Sequence, residues 1–563
     1  MSEDRSFWSL FEEPKEEASS GSNAWRLFDS SADELQTADG DEPRNCALAF
    51  DEDYVFWAMR DLPIRHALTH FLVTGASGSG KTTAIKLFLQ SVAPRFKPGW
   101  SRKRKEGENE EARDGQQPEQ LILFDAKCDT VSLLAKLGLT LENRNLYILN
   151  PYDTRSAVWN VAEAVRTPVM ARSLATLLVP EEKNSTAPFF SNAARELVYD
   201  VLLALNQIPG DVWTLRDLLC ALESREHIAA VTAHDPRASA LAARVLGDGQ
   251  HSDGVLSTLA TKLGPLEQVA ALWSTNTSGI EFTIEQFLKE PGVLVLGNDP
   301  VLRDSFWPLN AILLKALTHE ILRGPDTRLP RCWFVLDEFR AMENVDCIHE
   351  LLNRGRSKGA SVVLGIQSVE GIEEVYGENA ANDILSQCAN KMFLRAGGPK
   401  TAEWAESFFS KVRRIEDTVT DTTLDHSKSK SIQHSLQERS LFLASYFLDL
   451  PMPGPGEPFV AVCDVPSLRE TLIVRRHFDE LLTWCRKLSP EDGANETQLK
   501  VPDVVPRTNL DEQRLWPWTV DEELRFCGPP PREKGKPISN TGGPAIRASQ
   551  KRVPLDQVMR HDQ

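Results

Sequence analysis

Nine consecutive residues, GASGSGKTT from Gly75 to Thr83, have the types and spacing to hold a phosphate. They fit the pattern G-x-x-x-x-G-K-[ST]. Its glycines permit a tight turn whose backbone N–H groups surround a β-phosphate. The nucleotide-binding set is therefore Gly75, Ala76, Ser77, Gly78, Ser79, Gly80, Lys81, Thr82 and Thr83. The following helix points its positive N-terminal end at the same anion. Lys81 reaches the β- and γ-phosphates, and Thr82 places its hydroxyl on Mg²⁺. The pattern thus implies a nucleoside triphosphate with Mg²⁺. An apolar run, HFLVTG at 70–75, precedes the loop, and AIKLFLQSV at 84–92 reads as a helix.

Three further segments carry candidate chemistry. CWFVLDE (332–338) is an apolar strand ending in Asp337 and Glu338. Asp337 suits the Mg²⁺ shell, and Glu338 suits polarisation of an attacking water. Without the upstream loop, the same ending would equally fit a helix N-cap. SVVLGIQS (361–368) ends in Gln367, an amide placed to sense a γ-phosphate or orient water. Its plainer role is to satisfy backbone at a strand end. NRGRSKG (353–359) concentrates Arg354, Arg356 and Lys358. An arginine here suits transition-state charge in a neighbouring subunit. The same charges also favour a helix C-terminus.

The elements that position these residues follow a strand-then-helix order. HFLVTG, LILFDAK (121–127), NLYILN (145–150), GVLVLGN (292–298), CWFVLDE, SVVLGIQ and KMFLR (391–395) are continuous apolar runs. Such runs suit strands of a parallel sheet buried on both faces. With helical stretches such as 308–322 between some of them, the alternation predicts an α/β three-layer domain. From about 168 to 285 the periodicity is helical, with Leu197, Val198, Val201, Leu202 and Leu205 on one face. A capped helix follows Thr214, and another follows Asp253, interrupted near Gly264 and Pro265. The interval reads as an all-alpha insertion.

The chain has 563 residues and a formal net charge of −18. That charge argues against a protein coating nucleic acid over its whole surface, but leaves room for a local basic channel. Residues 1–45 carry twelve acidic and four basic residues, net −8, and read as an acidic disordered tail. Residues 101–120 read as a surface insertion, and 488–563 as a flexible tail rich in Pro and Gly. The expected division is an acidic tail at 1–45, a nucleotide-binding segment at 46–165, a helical insertion at 166–287, a second nucleotide-binding segment at 288–487 and a tail at 488–563. Nine widely spaced cysteines with no CxxC pair read as reduced thiols. No segment approaches the ~18 apolar residues of a membrane span, and the N-terminus has no signal-type run. The expectation is a cytoplasmic protein.

Taken together, these residues resemble the coupling ATPases of type IV secretion and conjugative DNA transfer. LILFDAKCD is similar to that family's strand ending in Asp-Pro-Lys-x-Glu: Asp125 and Lys127 are retained, Ala126 replaces the proline, and Asp129 stands at the Glu position. NPYDTRSAVWNV (150–161), FFSNAARELV (189–198), the block from FVLDE to Gln367 and Ser368, and SKSKSIQHSLQERSLF (427–442) resemble other family segments in the same order. The resemblance implies a RecA-like P-loop NTPase with a mainly parallel central sheet and an inserted all-alpha domain. It implies a homo-hexameric ring that hydrolyses ATP and moves DNA, often with a bound protein, into a secretion channel. Lys81, Thr82, Asp337, Glu338 and Gln367 take the roles above, and Arg356 becomes the arginine finger. Typical members begin with transmembrane helices, and residues 1–64 here contain none. Two alternatives stand beside this reading: a soluble HerA/FtsK-like DNA pump, and an ATP-gated protein-cargo adaptor. Partners could include relaxosome or channel proteins, with peripheral placement at the inner membrane through one of them.

Overall fold

The computed structural model describes residues 28–29, 53–100, 117–143, 145–180, 188–208, 213–247, 250–275, 278–297, 303–342, 345–409, 411–424, 427–486, 501–509 and 514–528. All but two residues of the acidic N-terminal segment, and 101–116 of the polar insertion, lie outside this set. Seven of the strands predicted from apolar runs form one parallel block. Its spatial order is Asn390–Phe393, Phe71–Thr74, Ala360–Ile366, Cys332–Leu336, Gln120–Asp125, Gly292–Gly297 and Leu146–Leu149. Pro458–Val465 adds an antiparallel strand beside Asn390–Phe393, followed by Glu470–His477 and the short Phe28–Asp29, giving a ten-stranded sheet.

Neighbouring residues on these strands face opposite layers. Phe71, Val73, Leu121, Leu123, Trp333 and Val335 pack in one core with residues of the helix Lys81–Val92. Leu72, Ile122, Phe124, Phe334 and Leu336 belong to a second core that continues into the helices between 168 and 275. Burial on both faces is why the strands read as unbroken apolar runs. Lys411–Leu424 and Ser427–Ser440, 14 residues each, pair as a separate antiparallel ribbon.

The helical interval contains Pro168–Leu178, Phe189–Leu205, Leu215–Leu222, Arg225–Thr232, Pro236–Val245 and Gln250–Thr275. Thr214 and Asp217 cap the third of these reciprocally, and Asp235 precedes Pro236 at the start of the fifth. The break expected near Gly264 and Pro265 is absent: Gln250–Thr275 runs through it. Leu259, Leu263, Leu266, Val269 and Trp273 bury one side of that helix across the proline. Pro265 is on the exposed side, and so is Thr261, whose carbonyl loses its N–H partner there and is left to water. Packing therefore outweighs the lost bond. Among the described residues no helix is long and apolar enough to cross a membrane.

The expectation of a flexible segment after 488 needs correction over two stretches. Residues 501–509 and 514–528 cross the body as a strap. Asp503 accepts the Ser132 N–H at 2.8 Å, and Arg155 donates to the carbonyls of Pro502 (2.9 Å) and Asp503 (3.0 Å). Arg155 is itself held by Asp153 at 2.9 and 2.6 Å. Further on, Val520–Cys527 forms a helix capped reciprocally by Thr519 and Glu522. Arg216 binds both Glu522 oxygens, at 2.8 and 3.1 Å. Low overall hydrophobicity concealed this docking, because a few anchors carry it: Trp518, Phe526 and the charged clasp.

Asp200, on Phe189–Leu205, is 1% exposed, and its Oδ2 has no hydrogen-bond partner among the described residues. Burial, reinforced by Glu196 and Asp235 and opposed by Arg172 and Arg237, raises its carboxyl to about 7. The folded state then binds the proton more tightly than the unfolded chain does. The resulting penalty grows as pH rises from the ordinary carboxylate range through about 7. Asp200→Asn is therefore expected to raise the melting temperature more at pH 8 than at pH 5.5. Equal gains at both pH values would contradict the assignment.

Candidate nucleotide site

The strand Phe71–Thr74 runs into the Gly75–Gly80 turn and then the helix Lys81–Val92. Two flanking strand ends brace the turn. The Gly75 N–H donates to the Ile366 carbonyl at 3.2 Å, and the Ala76 N–H to the Arg395 carbonyl at 2.8 Å. Gly80 is the N-cap of the helix at φ 99°, with no side-chain cap. A Cβ there would fall 2.8 Å from the Phe459 ring, so both backbone and space require glycine. The first N–H groups of the helix thus remain available to an anion. Ser79 is buried, while Ser77 and Gly78 are exposed at the tip.

Lys81 is 6% exposed, and its ammonium donates to the carbonyls of Gly75 (2.6 Å) and Ala76 (3.1 Å). Burial lowers its pKa; Glu338 and Asp337 oppose that shift, and Lys127 adds to it. Thr82 donates its hydroxyl proton to Asp337 Oδ2 at 3.3 Å. The loop and the end of Cys332–Leu336 therefore meet.

Burial raises the Asp337 pKa, with Lys127 pulling it back down. Asp337 Oδ1 is buried and has no hydrogen-bond partner among the described residues. On the neighbouring strand, a Cβ at Gly365 would lie 2.7 Å from that oxygen, so only glycine lets the carboxylate sit there. Glu338 follows with a left-handed backbone, φ 66°, rare for a side-chain-bearing residue. Such strain concentrates at working sites. It turns the chain sharply at the strand end and sets apart two carboxylates that a continuing strand would alternate.

A carboxylate whose Oδ2 lies 3.3 Å from a helix-start hydroxyl, next to a glycine cradle with uncapped N–H groups, is a donor set that fits Mg²⁺ with a phosphate chain. Thr82 and Asp337 would hold the ion.

Gln367 follows the strand Ala360–Ile366. Ile366 pairs with Thr74, so Gln367 lies level with Gly75, and it is exposed. Arg356 is not brought to this place. It precedes the same seven-residue strand at the opposite edge of the sheet. At ~3.3 Å per residue that is roughly 20 Å or more from its own chain's loop. The three basic residues there differ. Arg354 pairs with Glu350 at 2.8 Å, and Lys358 with Asp326 at 2.7 Å. The exposed Arg356 guanidinium makes no hydrogen bond or ion pair among the described residues.

One residue at the site has no role in the sequence reasoning. Lys127 Nζ lies 3.3 Å from Thr82 Oγ1 and 3.9 Å from Asp337 Oδ2. The groove it shares includes Asp125, Asp129 and Glu338. Asp125 accepts the N–H groups of Asp129 (3.2 Å) and Thr130 (3.1 Å), and Cys128 adopts φ 53°. These contacts fold the 126–130 turn so that Lys127 faces Asp337. Its sequence signals were its place two residues beyond a strand ending in Asp125 and its match to the Lys of the Asp-Pro-Lys-x-Glu segment, neither of which assigns it a contact.

The model of the type IV secretion-system coupling protein DNA-binding domain matches residues 57–463. The coupling protein TraD of Escherichia coli (strain K12) is 23% identical over 265 residues, 46% of this chain and 36% of TraD. The coupling protein VirD4 of Bartonella henselae is 21% identical over 345 residues, 57% of this chain and 54% of VirD4. The aligned region is thus about a third to a half of these relatives. Among solved structures, the plasmid coupling protein TrwB with ADP and Mg²⁺ superposes at a TM-score of 0.54 and 18% identity, covering 76% of this chain and 89% of that one. TrwB with an ATP analogue gives 0.56 and 17%, covering 81% and 93%. At such identities the likeness concerns the fold.

Proposed function

The chain belongs to the type IV secretion-system coupling protein family, and from that premise we propose that it is a Mg²⁺-dependent ATPase that drives DNA, alone or with bound protein, through a ring of identical subunits. The observation that carries this reading is the meeting of Lys81, Thr82, Asp337 and Glu338 at one end of the parallel strands Phe71–Thr74 and Cys332–Leu336, which flank Ala360–Ile366. That edge is where ligands bind in open α/β sheets.

Bound Mg²⁺ supplies charge neutralisation across the β- and γ-phosphates. Lys81 exchanges its two carbonyl partners for phosphate oxygens. Glu338 orients a water and accepts its proton during in-line attack. Gln367, level with the loop, contacts the γ-phosphate or that water. Arg356, at the far edge and without an acidic partner among the described residues, acts on the site of an adjacent subunit in a head-to-tail ring. The domain division follows: nucleotide-binding segments at 46–165 and 288–487 frame a helical domain at 166–287 that meets DNA, cargo or channel proteins.

ATPase rates with and without DNA test the activity. A complementation test probes the ring: Lys81→Ala and Arg356→Ala are each expected to be inactive alone. In an equal mixture about one head-to-tail interface in four carries both intact residues, so activity returns. No DNA stimulation would leave an ATP-gated adaptor as the function. No recovery on mixing would remove Arg356 from the shared site.

A further inference from the structure

The contacts of Lys127 have a consequence for how metal enters. Thr82 Oγ1 and Asp337 Oδ2 are the two atoms expected to face Mg²⁺, and both already face the Lys127 ammonium, at 3.3 and 3.9 Å. An ion coordinated by Thr82 Oγ1 would lie roughly 2.1 Å from that oxygen. On the side turned to Asp337, that is the space beside the ammonium. Two cations so close repel strongly even at an effective dielectric near 20.

We propose that Lys127 is a displaceable counter-ion: its ammonium and the metal compete for one place between Thr82 and Asp337, and the ammonium leaves when Mg²⁺ arrives with nucleotide. The inference rests on the nucleotide-site reading above. Three features support it beyond the distances. The Lys127 side chain is 48% exposed, so its stem can swing without disturbing a core. The turn that carries it is pinned by Asp125, so the ammonium returns to the same place. The other cations near the groove are engaged elsewhere: Lys81 holds the Gly75 and Ala76 carbonyls, and Lys86 lies 4.0 Å from Asp129. Lys127 thus exerts the largest cationic pull on the half-buried Asp337 among the described residues, with Lys81 adding a smaller one. When a triphosphate enters, its terminal oxygens offer the ammonium a new partner, which couples nucleotide arrival to metal access. Lys127 acts on Asp337 as a positioning residue and undergoes no bond change.

The test is a Mg²⁺ titration of the full-length protein without nucleotide, followed by thermal unfolding, with KCl at matched ionic strength as control. Wild type is expected to respond little to millimolar Mg²⁺. Lys127→Met is expected to melt lower in EDTA and to regain stability with Mg²⁺, its apparent Mg²⁺ affinity about ten-fold or more above wild type. Adding Asp337→Asn to Lys127→Met should abolish the Mg²⁺ response and restore stability in EDTA, because the half-buried carboxylate that Lys127 faces is gone. A Lys127→Met protein with wild-type melting and wild-type Mg²⁺ response overturns the proposal, as does a response that KCl reproduces. Binding of a fluorescent ATP analogue separates the two readings. If wild type fails to bind it, the site assignment fails; if it binds normally while Lys127→Met leaves the Mg²⁺ response unchanged, only the counter-ion role fails.

Discussion

Lys81→Ala and Glu338→Gln are expected to separate nucleotide binding from hydrolysis. Lys81 is buried, and its ammonium is aimed into the loop by the Gly75 and Ala76 carbonyls at 2.6 and 3.1 Å. Burial already holds its pKa down, so much of its desolvation is complete before any phosphate arrives. Charge-assisted hydrogen bonds of this kind contribute about 1.5–3 kcal/mol each. Its removal should weaken ATP-analogue binding by roughly ten- to a hundred-fold and abolish measurable turnover. Glu338→Gln keeps size and hydrogen bonding but loses the base. Analogue affinity should stay within a few-fold of wild type, while hydrolysis falls by roughly 10² to 10⁴. Fluorescent-nucleotide titration and phosphate release measure the two quantities. Hydrolysis unchanged in both variants would remove these residues from the chemistry.

The second large effect is on stability. Trp518→Ala should destabilise the helical interval by about 3–5 kcal/mol, the usual range for deleting a buried tryptophan side chain. Trp518 is 8% exposed and donates from Nε1 to Asp217 at 2.9 Å. Its ring stacks on Phe526 at 5.0 Å and lies 5.1 Å from His227. Asp217 also belongs to the capping box of Leu215–Leu222, so losing the indole leaves a capping carboxylate short of a donor. Hydrogen exchange should speed up first in 215–232 and 514–528. The Arg216–Glu522 clasp beside it gives the contact a pH dependence: hydrogen bonding to Arg216 lowers Glu522 to about 2, so its contribution is complete above the ordinary carboxylate range and fades toward pH 2. Unchanged melting and exchange in Trp518→Ala would mean that the strap does not dock.

The strap, the site and the sheet differ in how much of each was legible. The phosphate loop is local chemistry: glycines, a lysine and a hydroxyl at fixed offsets, between an apolar run and a helix. The seven parallel strands were equally plain, because two-sided burial demands unbroken apolar runs. Asp337 and Glu338 became readable once the loop was known. The long helix through Pro265 was misread, because proline's local effect is visible in sequence and the packing of Leu263, Leu266 and Val269 is not.

By itself, the sequence marked the phosphate-loop pattern, the α/β class and the helical character of the interval from about 168 to 285, since each depends on neighbours within a few residues. Tertiary structure alone decided three things. Lys127 faces Thr82 and Asp337 only because Gln120–Asp125 pairs beside Cys332–Leu336. Arg356 is kept from its own loop because it and Gln367 lie at opposite ends of one strand. The C-terminal strap is held by contacts with residues far away in the chain, Asp217 and Arg216 among them. All three rest on pairings across tens to hundreds of residues, whose energy comes from register and burial and leaves no periodic mark in the chain.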